Sequence, residues 1–299
     1  MNTQSTSTIS IERDEEQRVG KVLLSNGWSE EVDRNEYVKA RYRSPLGSVA
    51  ILYSSGKLVF QGKQDFNSLI LDIKQESSEE SSSFVDHIGV DEVGKGDYFG
   101  PLVVVSCFVD REFEKRISLL GFGDSKRFSD RKILELFKEI EEYPYYFSSV
   151  VVPAEYNRLV LEYGNVAVLL AKQHSIVIEK GLSKLKLDGV ECKRVVIDQF
   201  SSSKDRVRKE LGELGSRVEL IQFHKGESDL AVAAASIIAR AIFLKEWEKM
   251  NERYDLVFPK GATSVVEFGK EFVSKYGEDE LRNVAKIGFR TTDEILKLF

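Results

Sequence analysis

The chain has little from which to build a thiol- or imidazole-based site. Its 299 residues include two cysteines, Cys107 and Cys192, and three histidines, His87, His174 and His224. A zinc centre of Cys and His has almost no material here, and catalysis resting on histidine has hardly more. Cys107 lies inside an apolar run, so a buried thiol is expected rather than a ligand or a disulfide, and a reducing cytoplasm fits. Long apolar runs are also missing, and nothing approaches the roughly 18 residues that span a bilayer. The opening stretch, residues 1–18, is polar and acidic, without the apolar core of a signal peptide. Positive charge is not in excess either: 43 Lys and Arg against 49 Asp and Glu leave a net charge of −6. Many nucleic-acid binders are strongly basic. This balance leaves room for a basic face only locally. Carboxylates are abundant, so acid/base or hard-cation chemistry is the starting point.

The stretch around which the rest is organised is IGVDEVGKGDYFGPLVVVSCFV, residues 88–109. An apolar run delivers Asp91 and Glu92 into a turn containing Gly94, Gly96, Gly100 and Pro101, and a second apolar run leaves it. Two β-rich runs joined by a Gly/Pro loop predict a hairpin. Backbone N–H groups of such a loop can approach a phosphate closely. Two carboxylates at the end of a buried strand are costly unless one takes a proton or a cation sits between them. On a regular strand they also point to opposite faces. Both reach one site only if the strand ends or twists there.

Residues 1–18 are expected to be disordered or weakly helical. From Gly20 to Gln64 a compact unit is expected, with strand-like runs at 37–43, 48–54 and 57–63. Between Arg34 and Lys63 six basic residues (Arg34, Lys39, Arg41, Arg43, Lys57, Lys63) face one acid, Glu36, a local charge of +5. Arg41 and Arg43 share a strand face with Tyr37, so they are candidates to hold a nucleic-acid backbone. The segment QESSEESSS has no apolar residue and reads as a flexible linker. The expected domains are therefore 1–75, a linker at 76–83, and 84–299.

In the second domain the hairpin is followed by Gly123-Asp124-Ser125-Lys126, an amphipathic helix over 129–142 with Ser129 as its N-cap, and a strand at 145–152. A long helix follows over 165–185, where His174 is expected to be packed or hydrogen-bonded rather than catalytic. RVVIDQF repeats the pattern of a short aliphatic strand closed by an acid, Asp198. A fifth strand at 217–223 runs into an Ala-rich helix opening at Asp229. A carboxylate suits a helix start as a plain cap. The alanines predict a helix lying tight against the sheet. The order predicts a mixed α/β sheet with Asp91, Glu92, Asp198 and Asp229 on the edge formed by the strand C-terminal ends. Four carboxylates there call for cations, and two divalent metals would support phosphoryl transfer. A P-loop built on Gly94-Lys95-Gly96 is excluded, because G-x-x-x-x-G-K-[ST] is absent.

GVDEVGKGDYFGPLVV, GDSKRFSD, VVIDQF, SDLAVAAASIIAR and AKIGFRTTDEI, taken together over roughly residues 86–296, resemble the ribonuclease HII/HIII family. GDYFGP and the extra N-terminal domain resemble type III. The resemblance implies a ribonuclease H-like mixed five-stranded sheet with flanking helices. It also implies a small N-terminal α+β domain like the TATA-box-binding-protein fold, which grips substrate. The activity implied is metal-dependent hydrolysis of the RNA strand of RNA–DNA hybrids, leaving 5′-phosphate and 3′-hydroxyl ends. Two Mg²⁺ or Mn²⁺ ions would be held by Asp91, Glu92, Asp198 and Asp229. Gly94, Lys95 and Gly96 would lie along the scissile strand, and Ser125 and Lys126 would form a phosphate-contacting turn. A soluble monomer acting on hybrids, away from membranes, is expected. The alternatives are a type II enzyme that incises single ribonucleotides in duplex DNA and a catalytically silent hybrid-binding protein.

Overall fold

A computed structural model of the chain describes residues 5–11, 16–63, 66–67, 69–70, 73, 84–198, 205–223, 226–262 and 265–297. Two compact units divide it, Met1–Ser83 and Phe84–Phe299.

In the first unit, strands β1 (Ser5–Ser10), β2 (Ser29–Glu31), β3 (Val38–Arg43), β4 (Val49–Tyr53) and β5 (Lys57–Gly62) form one sheet in the order β1-β5-β4-β3-β2. All its pairings are antiparallel. Alternate residues Tyr42, Ala50, Leu52, Leu58 and Phe60 are buried together with Val19, Val22 and Leu23 of helix α1 (Glu16–Ser25), as period-two strands against an i, i+3, i+4 helix face require. The expectation that residues 1–18 are disordered or weakly helical holds at 16–18, which open helix α1, but misses a strand. Ser5–Ser10 is a strand that pairs with β5 from Ser5↔Gly62 to Ser10↔Lys57. The open edge of β5 satisfies its backbone groups, a long-range partner that composition cannot reveal. The expected linker at 76–83 lies outside the described residues.

In the second unit, strands β6 (His87–Val93), β7 (Leu102–Val109), β8 (Tyr146–Val151), β9 (Arg194–Asp198) and β10 (Glu219–Phe223) form a mixed sheet in the order β10-β9-β6-β7-β8. The three strands β6, β7 and β8 are antiparallel neighbours, while β6–β9 and β9–β10 run parallel. The helices are α2 (Arg111–Leu119), α3 (Asp130–Ile140), α4 (Pro153–Tyr163), α5 (Val166–Leu187), α6 (Asp205–Glu210), α7 (Leu230–Tyr254), α8 (Val266–Tyr276), α9 (Glu278–Val284) and α10 (Arg290–Leu296). They bury both sheet faces. Val103, Val105, Cys107 and Val109 of β7 pack with α2, α3 and α7, whereas Leu102, Val104 and Phe108 face α5. Every residue of β7 is therefore buried, as a strand covered on both faces must be. The Ser129 hydroxyl caps α3 by accepting the Lys132 N–H.

Helix α7 lies flush on β6. A Cβ on Gly89 would stand 2.1 Å from the carbonyl carbon of Ala231 and 2.2 Å from the amide nitrogen of Val232. Only glycine allows that approach, and Ala231, Ala234, Ala235 and Ala239 of α7 are all fully buried.

Candidate active site

Parallel pairing of β6 with β9 runs from Ile88↔Val195 to Val90↔Ile197. The next residues on the two strands are Asp91 and Asp198, so two carboxylates sit side by side where the ladder ends. Burial, then the charges of Glu92 and Asp198, push the Asp91 carboxyl up to about 7. Hydrogen bonds from the Ser236 hydroxyl and the Glu92 N–H oppose that rise. Asp198 accepts the Gly226 N–H at 2.9 Å. A Cβ on Gly226 would lie 2.7 Å from Asp198 Cα, so the turn after β10 rests directly on this strand end.

Asp229 is the N-cap of α7, its Oδ1 accepting N–H groups of Ala231 at 2.9 Å and Val232 at 3.1 Å. It also faces His87, whose Nε2 lies 2.9 and 3.0 Å from the two carboxylate oxygens. Burial would raise the Asp229 carboxyl, but the His87 hydrogen bond and charge, with the helix N–H groups, hold it below its ordinary value. The His87 ring shifts the other way: burial disfavours its charge, and Asp229 more than restores it.

Asp91 and Glu92 do diverge as strand geometry requires. Asp91 turns toward Ser236 on α7, while Glu92 Oε2 lies 3.1 Å from Nε2 of the buried His174 on α5. Strand β6 stays paired with β7 through Val93↔Val103, so it does not end before the turn.

Beyond it, Gly94 has φ +93°, and a Cβ there would meet the Pro101 carbonyl oxygen at 2.1 Å. A Cβ on Gly96 would meet nothing within 4 Å beyond its chain neighbours. Lys95 Nζ is 3.9 Å from Glu92 Oε1. Gly94 is thus buried against Pro101, while Lys95 and Gly96 are exposed beside the acids.

Ser125 and Lys126 stand in different settings. Ser125 is buried, its hydroxyl 2.8 Å from that of Ser236, so its side chain points away from solvent. Lys126 is exposed, and its N–H is held by Asp124 Oδ1 at 3.0 Å. Arg240 on α7 donates to the Ser125 carbonyl and, at 2.7 Å, to Asp130. Ser236 and Arg240 thus tie this turn to the helix that also contacts Asp91.

Arg41 and Arg43, in the first unit, are already engaged. Arg41 contacts Asp33 at 3.1 Å and Glu31 at 3.3 Å, and Arg43 pairs with Glu31. Lys39 pairs with Glu16 at 2.5 Å. The charge of +5 counted from Arg34 to Lys63 omitted these acids: Glu31 and Asp33 lie just before the window, and Glu16 comes in from α1. The face is an interleaved ion-pair surface rather than a bare basic one.

The sequence marks His174 as packed or hydrogen-bonded, and it is both. It gives no role to His87 or Ser236 and names no carboxylate partner for any of the three. No local pattern marks them, because each reaches its carboxylate through the fold: His87 and Asp229 are 142 positions apart, and His174 and Glu92 are 82.

The donor set suits a hard divalent cation: all-oxygen ligands, and one carboxyl held up by burial and by its carboxylate neighbours. Among the described residues no three His, Cys, Asp or Glu side chains stand ready to hold an ion as they are. Each acid is turned to a protein partner instead: Asp91 to Ser236, Glu92 to His174, Asp198 to Gly226, Asp229 to His87. Ligation would require those side chains to turn inward.

A mixed five-stranded sheet covered by helices on both faces, with acids gathered at the ends of its central parallel strands, defines a carboxylate-based nuclease-like α/β unit. Residues 88–292 match the family described as Ribonuclease HII, and the chain belongs to that family. It is 35% identical over 266 residues to Ribonuclease HIII of Protochlamydia amoebophila, covering 85% of each chain. Identity to Ribonuclease HIII of Geobacillus kaustophilus is 34% over 272 residues, covering 84% of this chain and 86% of that one. Bst-RNase HIII in complex with Mn²⁺ superposes with a TM-score of 0.67 at 28% identity, covering 98% of this chain and 99% of that one.

Proposed function

We propose that this chain is a metal-dependent endoribonuclease that hydrolyses the RNA strand of RNA–DNA hybrids, with Asp91, Glu92, Asp198 and Asp229 as its metal ligands. Family membership supports the chemistry. One observation carries the site: Asp91, abutting Asp198 at the end of the β6–β9 ladder, has its carboxyl held near 7 by burial and by neighbouring carboxylates. A divalent cation relieves that strain, and Mg²⁺ or Mn²⁺, two per site, are the ions of choice; the Mn²⁺ complex of Bst-RNase HIII supports this. Bound ions would polarise the scissile phosphate and lower the pKa of the attacking water.

The chain's own residues bind and orient. N–H groups of Gly94-Lys95-Gly96 lie along the sugar-phosphate, where loop backbone can read the 2′-OH, and Lys126 supplies a charge to a neighbouring phosphate. Residues 1–75 add affinity for the duplex, with Arg41 and Arg43 exchanging carboxylate for phosphate. The enzyme acts as a monomer in the cytoplasm, and among the described residues no helix is long and apolar enough to cross a membrane. A labelled hybrid incubated with the purified chain, with and without Mg²⁺ or Mn²⁺, tests the reading. Cleavage confined to the RNA strand and abolished by chelation is expected, leaving 5′-phosphate and 3′-hydroxyl ends. Intact hybrid in the presence of either metal overturns it.

The tripeptide Gly94-Lys95-Gly96 favours a second reading, incision at a lone ribonucleotide in DNA. Two duplexes of equal length separate the two, one carrying a run of ribonucleotides and one a single unit. We expect the run to be cut faster; equal or faster cutting at the single unit favours the second reading.

A further inference from the structure

Lys286 is a lysine with no exposed surface. Its Nζ donates to the carbonyl oxygens of Gly100 at 2.6 Å, Asp97 at 2.9 Å and Phe99 at 3.2 Å. The Tyr156 ring centroid lies 5.6 Å away on another side. An ammonium has three N–H donors, and here each has a carbonyl. Those carbonyls all belong to one turn, the one that leads from Asp91 and Glu92 through Gly94-Lys95-Gly96 into β7.

The same short segment grips the turn through its backbone. The Gly100 N–H donates to the Val284 carbonyl at 2.9 Å, and the Lys286 N–H to the Tyr98 carbonyl at 2.8 Å. Phe99 and Ala285 form an antiparallel bridge. The Tyr98 hydroxyl lies 3.0 Å from that of Thr292.

An apolar side chain of like volume would fill this space without the cost of burying a charge. That cost is real: burial pushes the Lys286 amine down to about 7, against the pull of Asp97. What an apolar residue could not do is gather three carbonyls of one turn onto a point. We infer that Lys286 is a positioning residue, whose buried ammonium fixes the β6–β7 turn so that Gly94-Lys95-Gly96 is presented to the scissile strand. The inference rests on the nuclease reading above.

Steady-state kinetics of the full chain on a multi-ribonucleotide hybrid test it, comparing wild type with Lys286→Met. The variant is expected to melt cooperatively and to raise KM about tenfold, with kcat changed by less than KM. A purely structural role would lower the active fraction, reducing apparent kcat at constant KM. An unchanged KM in the folded variant overturns the inference. Should Lys286→Met fail to fold, Tyr98→Phe cuts the hydroxyl link from the same turn to Thr292 without orphaning a charge. A KM raised roughly threefold there supports the inference, and an unchanged one overturns it. Failure of the wild type to cut the hybrid would instead strike the nuclease reading, so the two failures are distinguishable.

Discussion

Both ring nitrogens of His87 face oxygen acceptors: Nδ1 lies 2.6 Å from the Val85 carbonyl, and Nε2 lies 2.9 and 3.0 Å from the carboxylate of Asp229. A neutral imidazole can donate from one nitrogen only. Beside an ionised Asp229 the ring therefore carries both protons and a positive charge, which offsets part of the negative charge of the site.

Removing that charge should have two opposite effects. His87→Gln leaves a polar side chain but no cation. The metal-free protein should lose about 1–3 kcal/mol, the cost of weakening a buried charged hydrogen bond. Metal affinity should rise, because the site becomes more negative. Thermal melts in chelator and a calorimetric Mn²⁺ titration measure both. A metal affinity equal to wild type would mean that His87 is neutral at rest.

Asp198→Asn keeps an oxygen for the Gly226 N–H and so should keep the fold. Turnover should fall by several orders of magnitude while hybrid binding changes little. The check is a cleavage assay beside an anisotropy titration of labelled hybrid. Turnover within a factor of about ten of wild type would remove Asp198 from the ligand set.

Ser236→Ala removes the donor to Asp91 and leaves the buried Ser125 hydroxyl without its 2.8 Å partner. A loss of about 1–3 kcal/mol in stability is expected, together with a fall in kcat of about tenfold from a less constrained Asp91. Denaturant melts and single-turnover rates separate the two. Loss of stability at unchanged kcat would confine Ser236 to a structural part.

Two buried groups titrate near neutrality with opposite signs. Asp91 rises from its ordinary 3.8 to about 7, so its contribution to stability is full below pH 3.8 and is lost as pH climbs to 7. Lys286 falls from 10.5 to about 7. Below pH 7 its buried charge carries its full penalty, which lifts progressively as pH climbs toward 10.5. The metal-free chain should therefore show, from these groups, a dip in Tm around pH 7. Asp91→Asn should flatten the acid side of the dip, and Mn²⁺ should fill it in for the wild type. A pH scan of melting curves in chelator decides the matter.

Strand ends were the most legible part of the site. An aliphatic run closed by an acid occurs at Asp91 and again at Asp198, and helix-start chemistry marks Asp229; these are local patterns. Partners brought in by the fold were not legible. Arg41 and Arg43 looked like a basic face because Glu31 and Asp33 pair with them only once β2 folds beside β3. Ser5–Ser10 looked unstructured because its stabilising contact is the edge of β5. Helix α1 did carry a readable signal in Val19, Val22 and Leu23, buried at i, i+3 and i+4, but the polar run before it obscured its start. Lys286 drew no reading of its own, since no sequence window shows three carbonyls 186 to 189 positions upstream converging on it.

The contact at Gly89 has an engineering consequence. Asp91 lies two residues beyond Gly89 on β6, and Asp229 lies two residues before Ala231 on α7. Where strand and helix touch, the atoms that would meet a Cβ on Gly89 are main-chain atoms of Ala231 and Val232. The spacing between those two carboxylates is thus gauged by polypeptide against polypeptide, with no side chain as shim. A methyl group on Gly89 would pry the helix from the strand and change the bore of the candidate site itself.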